Sequence, residues 1–424
     1  MKCRMSPVQV AAATRAALTT AWDRLPDALR GPTQFMGRHY AGCGATIGAM
    51  PRCDFACTGC YLGADANQAK PRSLAQLKSQ LQDLRAWLGP AGNVQITDGE
   101  VSLRKEDEVI DLIRCARELG LVPMLMTHGE TFRRKPGLLE RLMVEGGLTE
   151  ISVHIDSTQR GRRDHYAGAR TEVELDPLRA EFAEMIRRAR RQTGLGLSAA
   201  STVTVTRDNL AGVSGIVRWF LANADAFKML SFQPLAEVGR TNPNLRGVTP
   251  DELWEQIAAG TGDPDIRQGE GWLGHPACSR FVQGVAVNRT KDGGPRLLPL
   301  YRRDRPDEMR MLNEVLDRVA GQSFRLDNRL QALRRVAAFT AKNGVFTLTR
   351  LLPQLAKLLW RAGTLRVNYF NIVSHHFMSA DETATPLGQE RLDACAVKVS
   401  INGELKSLCA VNALGLREEF YRAG

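Results

Sequence analysis

"TIGAMPRCDFACTGCYLGA", residues 46–64, runs from a short apolar strand straight into a loop with three cysteines in eight positions. Cys53, Cys57 and Cys60 are separated by three and then two residues. A structural zinc site closes its tetrahedron with four protein ligands, and a closed four-cysteine iron–sulfur site also consumes four thiolates. Three thiolates leave one metal position open. On a [4Fe-4S] cluster that open iron can bind a substrate or cofactor and pass an electron to it. The zinc alternative needs a fourth ligand nearby, which Cys43 or His39 could supply.

Downstream of the loop the chain alternates strand and helix patterns. "NVQITDG" (93–99), "LVPMLMTHG" (121–129), "EISVHIDS" (150–157), "LSAASTVTV" (197–205) and "KMLSFQPL" (228–235) read as buried strands. "SLAQLKSQLQDLRAWL" (73–88) places leucines 74, 77, 81, 84 and 88 close to one helical face, with Ser73 as its N-cap. "KEDEVIDLIRCARELG" (105–120) stops at Gly120, a suitable C-terminal glycine. This order predicts an α/β fold with parallel strands, a (β/α) barrel or a doubly wound sheet, with its chemistry at the C-terminal strand ends. Residues 1–45 read as a helical extension and 46–245 as the barrel region. Residues 246–424 read as a C-terminal region, mainly helical over 308–366, with a small β-hairpin turning at Asn402-Gly403.

Composition narrows the class. A chain of 424 residues, 43% hydrophobic and 24% charged, can bury one large core and carry an appended domain. No stretch reaches the roughly 18–20 apolar residues of a membrane span, and the N-terminus lacks a signal-peptide pattern, which predicts a cytoplasmic protein. Nine cysteines, an odd number with one tight cluster, favour metal binding in a reducing compartment over a disulfide framework. A net charge of +11 favours an anionic partner: nucleic acid, a phosphorylated metabolite or a membrane surface. Only 6% of residues are aromatic and no RNA-binding module is recognisable, which argues against nucleic acid.

The spacing Cys53-x3-Cys57-x2-Cys60 at a first strand end resembles the signature of the radical S-adenosylmethionine (SAM) enzymes. The resemblance implies a partial (β/α)6 TIM-type barrel in which the three thiolates hold a [4Fe-4S] cluster and SAM chelates the fourth iron. It also implies reductive cleavage to a 5′-deoxyadenosyl radical that abstracts hydrogen, with ferredoxin or flavodoxin as electron donor. Gly59 stands where that family often has an aromatic residue, and Tyr61 is placed to cover part of the role. "TDGEVSL" (97–103) stands where the family has Gly-Gly-Glu-Pro, with Asp98 for glycine and Val101 for proline. In its own chemistry, Gly99 lets the backbone approach a cofactor, and the carboxylates of Asp98 and Glu100 can pair with an ammonium group. "THGE" (127–130) resembles the family's Thr-Asn-Gly strand end.

Ser152, His154 and Asp156 alternate and so share one face of a strand, as do Thr202 and Thr204. Polar groups facing a barrel interior need a ligand or one another, so ribose hydroxyls or a self-satisfied cluster would both account for them. Gln233 and Arg240 are further candidate ligand contacts.

Cys395 and Cys409 straddle the hairpin turn and should come close together. With Cys278 they form a candidate auxiliary cluster or metal centre, the alternative being buried small hydrophobes. "RCDFACTGCYLGA", "VQITDGEVSLR", "FQPLAEVGR", "HPAC", "SHHFM" and "CAVKVSINGELKSLCAVN" together are similar, in order, to a radical-SAM group containing tetraether lipid synthase and a pterin methyltransferase. Members of that group carry extra cysteine-ligated metal centres, and Cys43 is a further candidate ligand. Residues 325–366 hold nine Lys/Arg and one acid, with Leu348, Leu351, Leu352, Leu355, Leu358 and Leu359 at helical spacing and Pro353 as a break. That pattern suits an interfacial helix on the inner face of a membrane, or a core-facing helix with a solvated basic side. The sequence therefore predicts hydrogen abstraction from a lipid or isoprenoid-like substrate, leading to C–C bond formation or methyl transfer. The alternatives are methylation of a small anionic heterocycle such as a pterin, and a non-catalytic zinc-stapled binding protein.

Overall fold

The computed structural model describes residues 7–42, 44–287, 294–319 and 367–422, together with Ala356 and Trp360. Cys43 and nearly all of the basic stretch 325–366 lie outside the described residues, so the interfacial-helix expectation falls there too.

Six strands follow in order: β1 (Ala45–Met50), β2 (Asn93–Asp98), β3 (Val122–Thr127), β4 (Glu150–His154), β5 (Ser198–Val205) and β6 (Phe227–Pro234). Each pairs parallel with the next. Helices such as Leu74–Leu88, Glu106–Glu118, Asp176–Thr193 and Val213–Ala222 make the crossovers. Ser73 caps the first of these in a capping box with Gln76, and Gly120, at φ 77°, follows the end of the second. The result is a curled α/β sheet, a partial TIM-type barrel.

Further strands are β7 (Glu270–Trp272), β8 (Ser279–Val287), β9 (Arg296–Pro299), β10 (Asn368–His375), β11 (Lys398–Ile401) and β12 (Glu404–Ser407). These do not build a sheet of their own. β10 joins β6 in parallel, β11 joins β1 in parallel, and β8 runs antiparallel to β10, so the order is β12-β11-β1-β2-β3-β4-β5-β6-β10-β8-β7. The region from 246 onward thus extends both edges of the barrel sheet. Asn402 and Gly403 have φ of 51° and 83°, the left-handed pair that a tight hairpin turn requires.

The two faces of the sheet differ. Ile47, Val94, Ile96, Leu125, Ile151, Val153, Val203, Leu230 and Phe232 pack with the helices in the main core. The alternate residues turn to the inside of the curl. A second core joins the N-terminal segment to the C-terminal strands: Leu18, Leu25, Phe35 and Met36 pack with Phe281, Tyr301, Val373 and Ala396. Among the described residues no helix is long and apolar enough to cross a membrane.

Candidate active site

The cysteine loop leaves β1 at Met50 and is bonded on three sides. Ala56 N–H donates to Arg160 O at 2.8 Å and Thr58 N–H to Thr158 O at 2.9 Å, tying it to the loop after β4. Asn242 N–H donates to Thr58 O at 2.8 Å, Arg240 N–H to Leu62 O at 2.8 Å, and Cys60 N–H to Thr241 Oγ1 at 3.1 Å, tying it to the loop after β6. Gly99 N–H donates to Met50 O at 2.5 Å and Glu100 N–H to Arg52 O at 2.8 Å, tying it to the end of β2. Cys53 N–H meets Asn67 Oδ1 at 2.9 Å. The loop conformation is therefore imposed by the three strand ends around it, and all three thiols are free and half-buried.

Burial pushes the Cys57 thiol well above its ordinary pKa, and the charges of Asp156, Cys60 and Cys53 add to the shift. As thiolates the three would repel one another, and a cationic metal centre offsets that cost. The donor set therefore fits a cluster held by Cys53, Cys57 and Cys60. His39, named as one source of a fourth zinc ligand, lies edge-on to Tyr40, 4.2 Å between ring centroids, and is not among the groups gathered at Cys53. Instead Asp54 and His128 come within 4.8 Å of Cys53. His128 Nε2–H donates to Asp54 Oδ1 at 2.8 Å, and the ring stacks on Phe55 at 3.8 Å. Burial alone would lower the pKa of His128, but the Glu100 carboxylate and the bonds to Asp54 and Cys53 outweigh it and raise it to about 10.

At the end of β2 both carboxylates already have partners within the protein. Glu100, 1% exposed, accepts from Thr127 Oγ1 (2.7 Å), Ser102 Oγ (2.5 Å) and His128 N–H (2.8 Å), stitching β2 to β3. Asp98 is bonded to Arg417 and Tyr421 of the helix Leu416–Arg422. What this strand end presents is backbone around Gly99, where a Cβ would stand 2.1 Å from Arg52 O. Tyr61 donates its phenol to Asp98 O at 2.7 Å. At Gly59 a Cβ would lie 2.6 Å from Leu235 Cδ1, so a larger residue there needs the Leu235 side chain to move.

Ser152, His154, Thr202 and Thr204 do share the inner face, and they meet one another. Ser152 Oγ and Thr202 Oγ1 are 3.0 Å apart, and His154 Nε2 lies 3.3 Å from Thr204 Oγ1. Asp156 falls beyond the strand, fully buried, and binds His154 Nε2 at 2.5 Å and Thr204 N–H at 2.6 Å. Its carboxyl pKa falls to about 2: burial opposes ionisation, but His154, Thr158 and the Thr204 amide prevail. Gln233 pairs in register with Thr204 on the same face. Arg240, a candidate ligand contact, donates from Nη2 to Phe55 O at 2.9 Å. Asn67, Thr241, Arg417 and Tyr421 carried no motif that would mark them, and only the fold brings them here.

Cys395 and Cys409, which flank the hairpin, and Cys278 from a distant segment lie near enough to influence one another's charge. The Cys409 thiol is pushed up by burial first and then by the neighbouring charges of Cys395 and Cys278. Arg391 Nε lies 3.1 Å from Cys278 Sγ, and Cys395 Sγ donates to Val397 O at 3.0 Å. Cys409 sits on the helix Leu408–Ala413 that follows β12, not on the strand expected.

Residues 47–192 match the family model described as the Radical SAM superfamily. A 7,8-dihydro-6-hydroxymethylpterin dimethyltransferase of Methanocaldococcus jannaschii is 24% identical over 199 residues, 47% of this chain and 37% of that protein. The chain thus spans little more than a third of the length of this curated relative. Among solved structures, Streptococcus suis SuiB bound to S-adenosylmethionine aligns over 50% of this chain and 45% of its own, at 16% identity and a TM-score of 0.37. A histidine-tagged anSMEcpe with bound AdoMet aligns over 51% of this chain and 56% of its own, at 16% identity and a TM-score of 0.34. The stretch 47–192, which carries the cysteine loop at the first strand end, is thus the part of the chain that matches the radical SAM superfamily.

Proposed function

We propose that the chain is a radical SAM enzyme that acts on a small, polar, ring-type substrate held against the inner face of the sheet. The observation that carries this reading is the polar lining of that face, where Thr97, Ser152, His154, Thr202, Ser231 and Gln233 alternate with the core residues of their strands. Parallel strands buried on both faces are usually apolar throughout, so a polar inner face favours a ligand with matching donors and acceptors. An acyl chain placed there would offer those groups no hydrogen bond beyond the ones they make with one another, whereas a polar ring can engage their remaining donors and acceptors. The pterin in the name of the Methanocaldococcus jannaschii dimethyltransferase is a ligand of the kind this lining suits. The lipid reading rests on the sequence resemblance and on residues 325–366.

When bound, the cluster and SAM supply the electron transfer and the carbon radical that removes a hydrogen atom from the substrate. Cys53, Cys57 and Cys60 would hold the cluster, and the Gly99 backbone with Tyr61 would shape the methionine end. Ser152 and Thr202 would exchange their mutual bond for ribose hydroxyls, and His154, fixed by Asp156, would orient the substrate. A small electron-transfer protein would supply the reducing equivalent.

Cys278, Cys395 and Cys409 are proposed to hold a second metal centre. Two buried thiols and the half-buried Cys278, set among Arg391, Lys398 and Arg24, suit an anionic metal–thiolate group. Nε and Nη2 of Arg24 are buried without a hydrogen-bond partner among the described residues, and a negative centre beside Cys395 would compensate them.

The test is to supply the anaerobic enzyme, SAM and a strong reductant with a reduced pterin or with isoprenoid lipid vesicles, and to follow 5′-deoxyadenosine and label from methyl-labelled SAM. Stimulation by the heterocycle is expected. Stimulation by the lipid alone would overturn the polar-substrate reading.

A further inference from the structure

Asp98 is a non-glycine residue with φ of 90°, buried at the end of β2, one position before the glycine whose backbone touches the cysteine loop. Most L-residues avoid that region, and its occurrence at a site calls for something that holds it. The holding groups are on the helix Leu416–Arg422. Tyr421 OH donates to Asp98 Oδ2 at 2.6 Å, and the Arg417 guanidinium pairs with Asp98 Oδ1. Both side chains are buried, and Arg417 is itself fixed by Asn412 Oδ1 at 2.6 Å.

The same arginine lies over the Tyr61 ring, 4.8 Å from its centroid, while Tyr61 OH holds Asp98 O. One guanidinium therefore touches the residue after Cys60 and the residue before Gly99. Arg72 over the Phe420 ring, at 4.1 Å, secures the next face of the helix.

We propose that the helix Leu416–Arg422 is a strap that positions the SAM-binding strand end. Arg417 and Tyr421 are positioning residues. They hold Asp98 in its left-handed conformation and so fix where the Gly99 backbone stands relative to the cysteine loop. The inference rests on the radical SAM reading of the site. It accounts for an aspartate where the family's motif has glycine: the side chain that strains the backbone is also the handle by which the C-terminal helix grips it.

The test uses the full chain, reconstituted anaerobically, with SAM binding measured by calorimetry and hydrogen exchange followed at the Gly99 and Glu100 amides. Arg417→Met should weaken SAM binding about tenfold with iron content unchanged, because a buried charge-assisted bond is lost. Exchange at both amides should accelerate, and Arg417→Lys should recover most of the affinity. In an Asp98→Gly background, where the conformation needs no handle, Arg417→Met should change affinity by less than about twofold. Wild-type affinity in Arg417→Met, or an undiminished loss in the Asp98→Gly background, would overturn the strap. If Arg417→Met does not fold, Tyr421→Phe carries the same comparison. A wild-type chain with iron but no SAM binding would remove the radical SAM reading and the strap with it. SAM binding that ignores the strap variants would remove the strap alone.

Discussion

Substituting Gly99 by alanine adds one methyl group at the most crowded junction of the site. The new Cβ would stand 2.1 Å from Arg52 O, 2.6 Å from Arg52 C and 2.9 Å from Met50 O, all backbone atoms. Relief requires the start of the cysteine loop to move by about 1 Å, which strains or breaks the bonds from Gly99 N–H to Met50 O and from Glu100 N–H to Arg52 O. Two such bonds are worth about 1 kcal/mol each, and overpacking adds about 1–3 kcal/mol, so a destabilisation of roughly 3–5 kcal/mol is expected. A displacement of that size at a reacting centre also costs about a hundredfold in rate. Gly215, in the helix Val213–Ala222, has nothing within 4 Å of its added Cβ, so Gly215→Ala should stabilise by about 0.5–1 kcal/mol. Denaturant unfolding, bound iron and SAM affinity would be compared for the two variants. A Gly99→Ala protein with wild-type stability, iron and SAM affinity would refute the claim that this backbone junction fixes the loop.

Other consequences can be checked alongside. Gly59→Phe should lose bound iron, and adding Leu235→Ala should restore part of it, because the Leu235 methyl occupies the space a ring would need. Replacing Cys278, Cys395 and Cys409 together by alanine should lower bound metal by one centre and leave SAM cleavage chemistry at the first loop detectable; an unchanged metal content would rule the second centre out. Asp156 has its folded pKa lowered to about 2, below an unfolded value of about 3.9, so its contribution to stability is present above pH 4 and lost as pH falls through about 2. Unfolding of the metal-free protein should show that acid-dependent loss, and Asp156→Asn should abolish it while lowering stability at neutral pH.

The barrel was legible because short apolar runs that read as buried strands alternate with segments whose leucines recur at helical spacing. The runs at 93–99, 121–129 and 150–157 all form strands, shortened to Asn93–Asp98, Val122–Thr127 and Glu150–His154. The cysteine loop was legible because three thiolates at short spacing have few uses. The placement of the C-terminal strands was not, since parallel pairing of β10 with β6 and of β11 with β1 joins segments far apart in the chain, and no local pattern marks it. For the same reason Arg417 and Tyr421 read as ordinary residues of a terminal helix. Asp98 and Glu100 were read from the sequence as candidate site residues, and the structure adds the partners of their carboxylates: Arg417 and Tyr421 for Asp98, Thr127, Ser102 and His128 for Glu100. A carboxylate's chemistry is visible in sequence, and the partners that occupy it are visible only in three dimensions. His154 and Asp156 show the converse: the shared-face argument found them, and the structure adds that they bind each other.

Everything proposed for the site depends on Cys53, Cys57 and Cys60 holding a cluster that cleaves SAM reductively. The decisive measurement is 5′-deoxyadenosine formed by the anaerobically reconstituted protein with SAM and a strong reductant, beside a Cys57→Ala variant. Reductive cleavage by the wild type, with loss of both the loop's iron and the product in the variant, is the expected result. Zinc in place of iron, or iron without any 5′-deoxyadenosine, would contradict it.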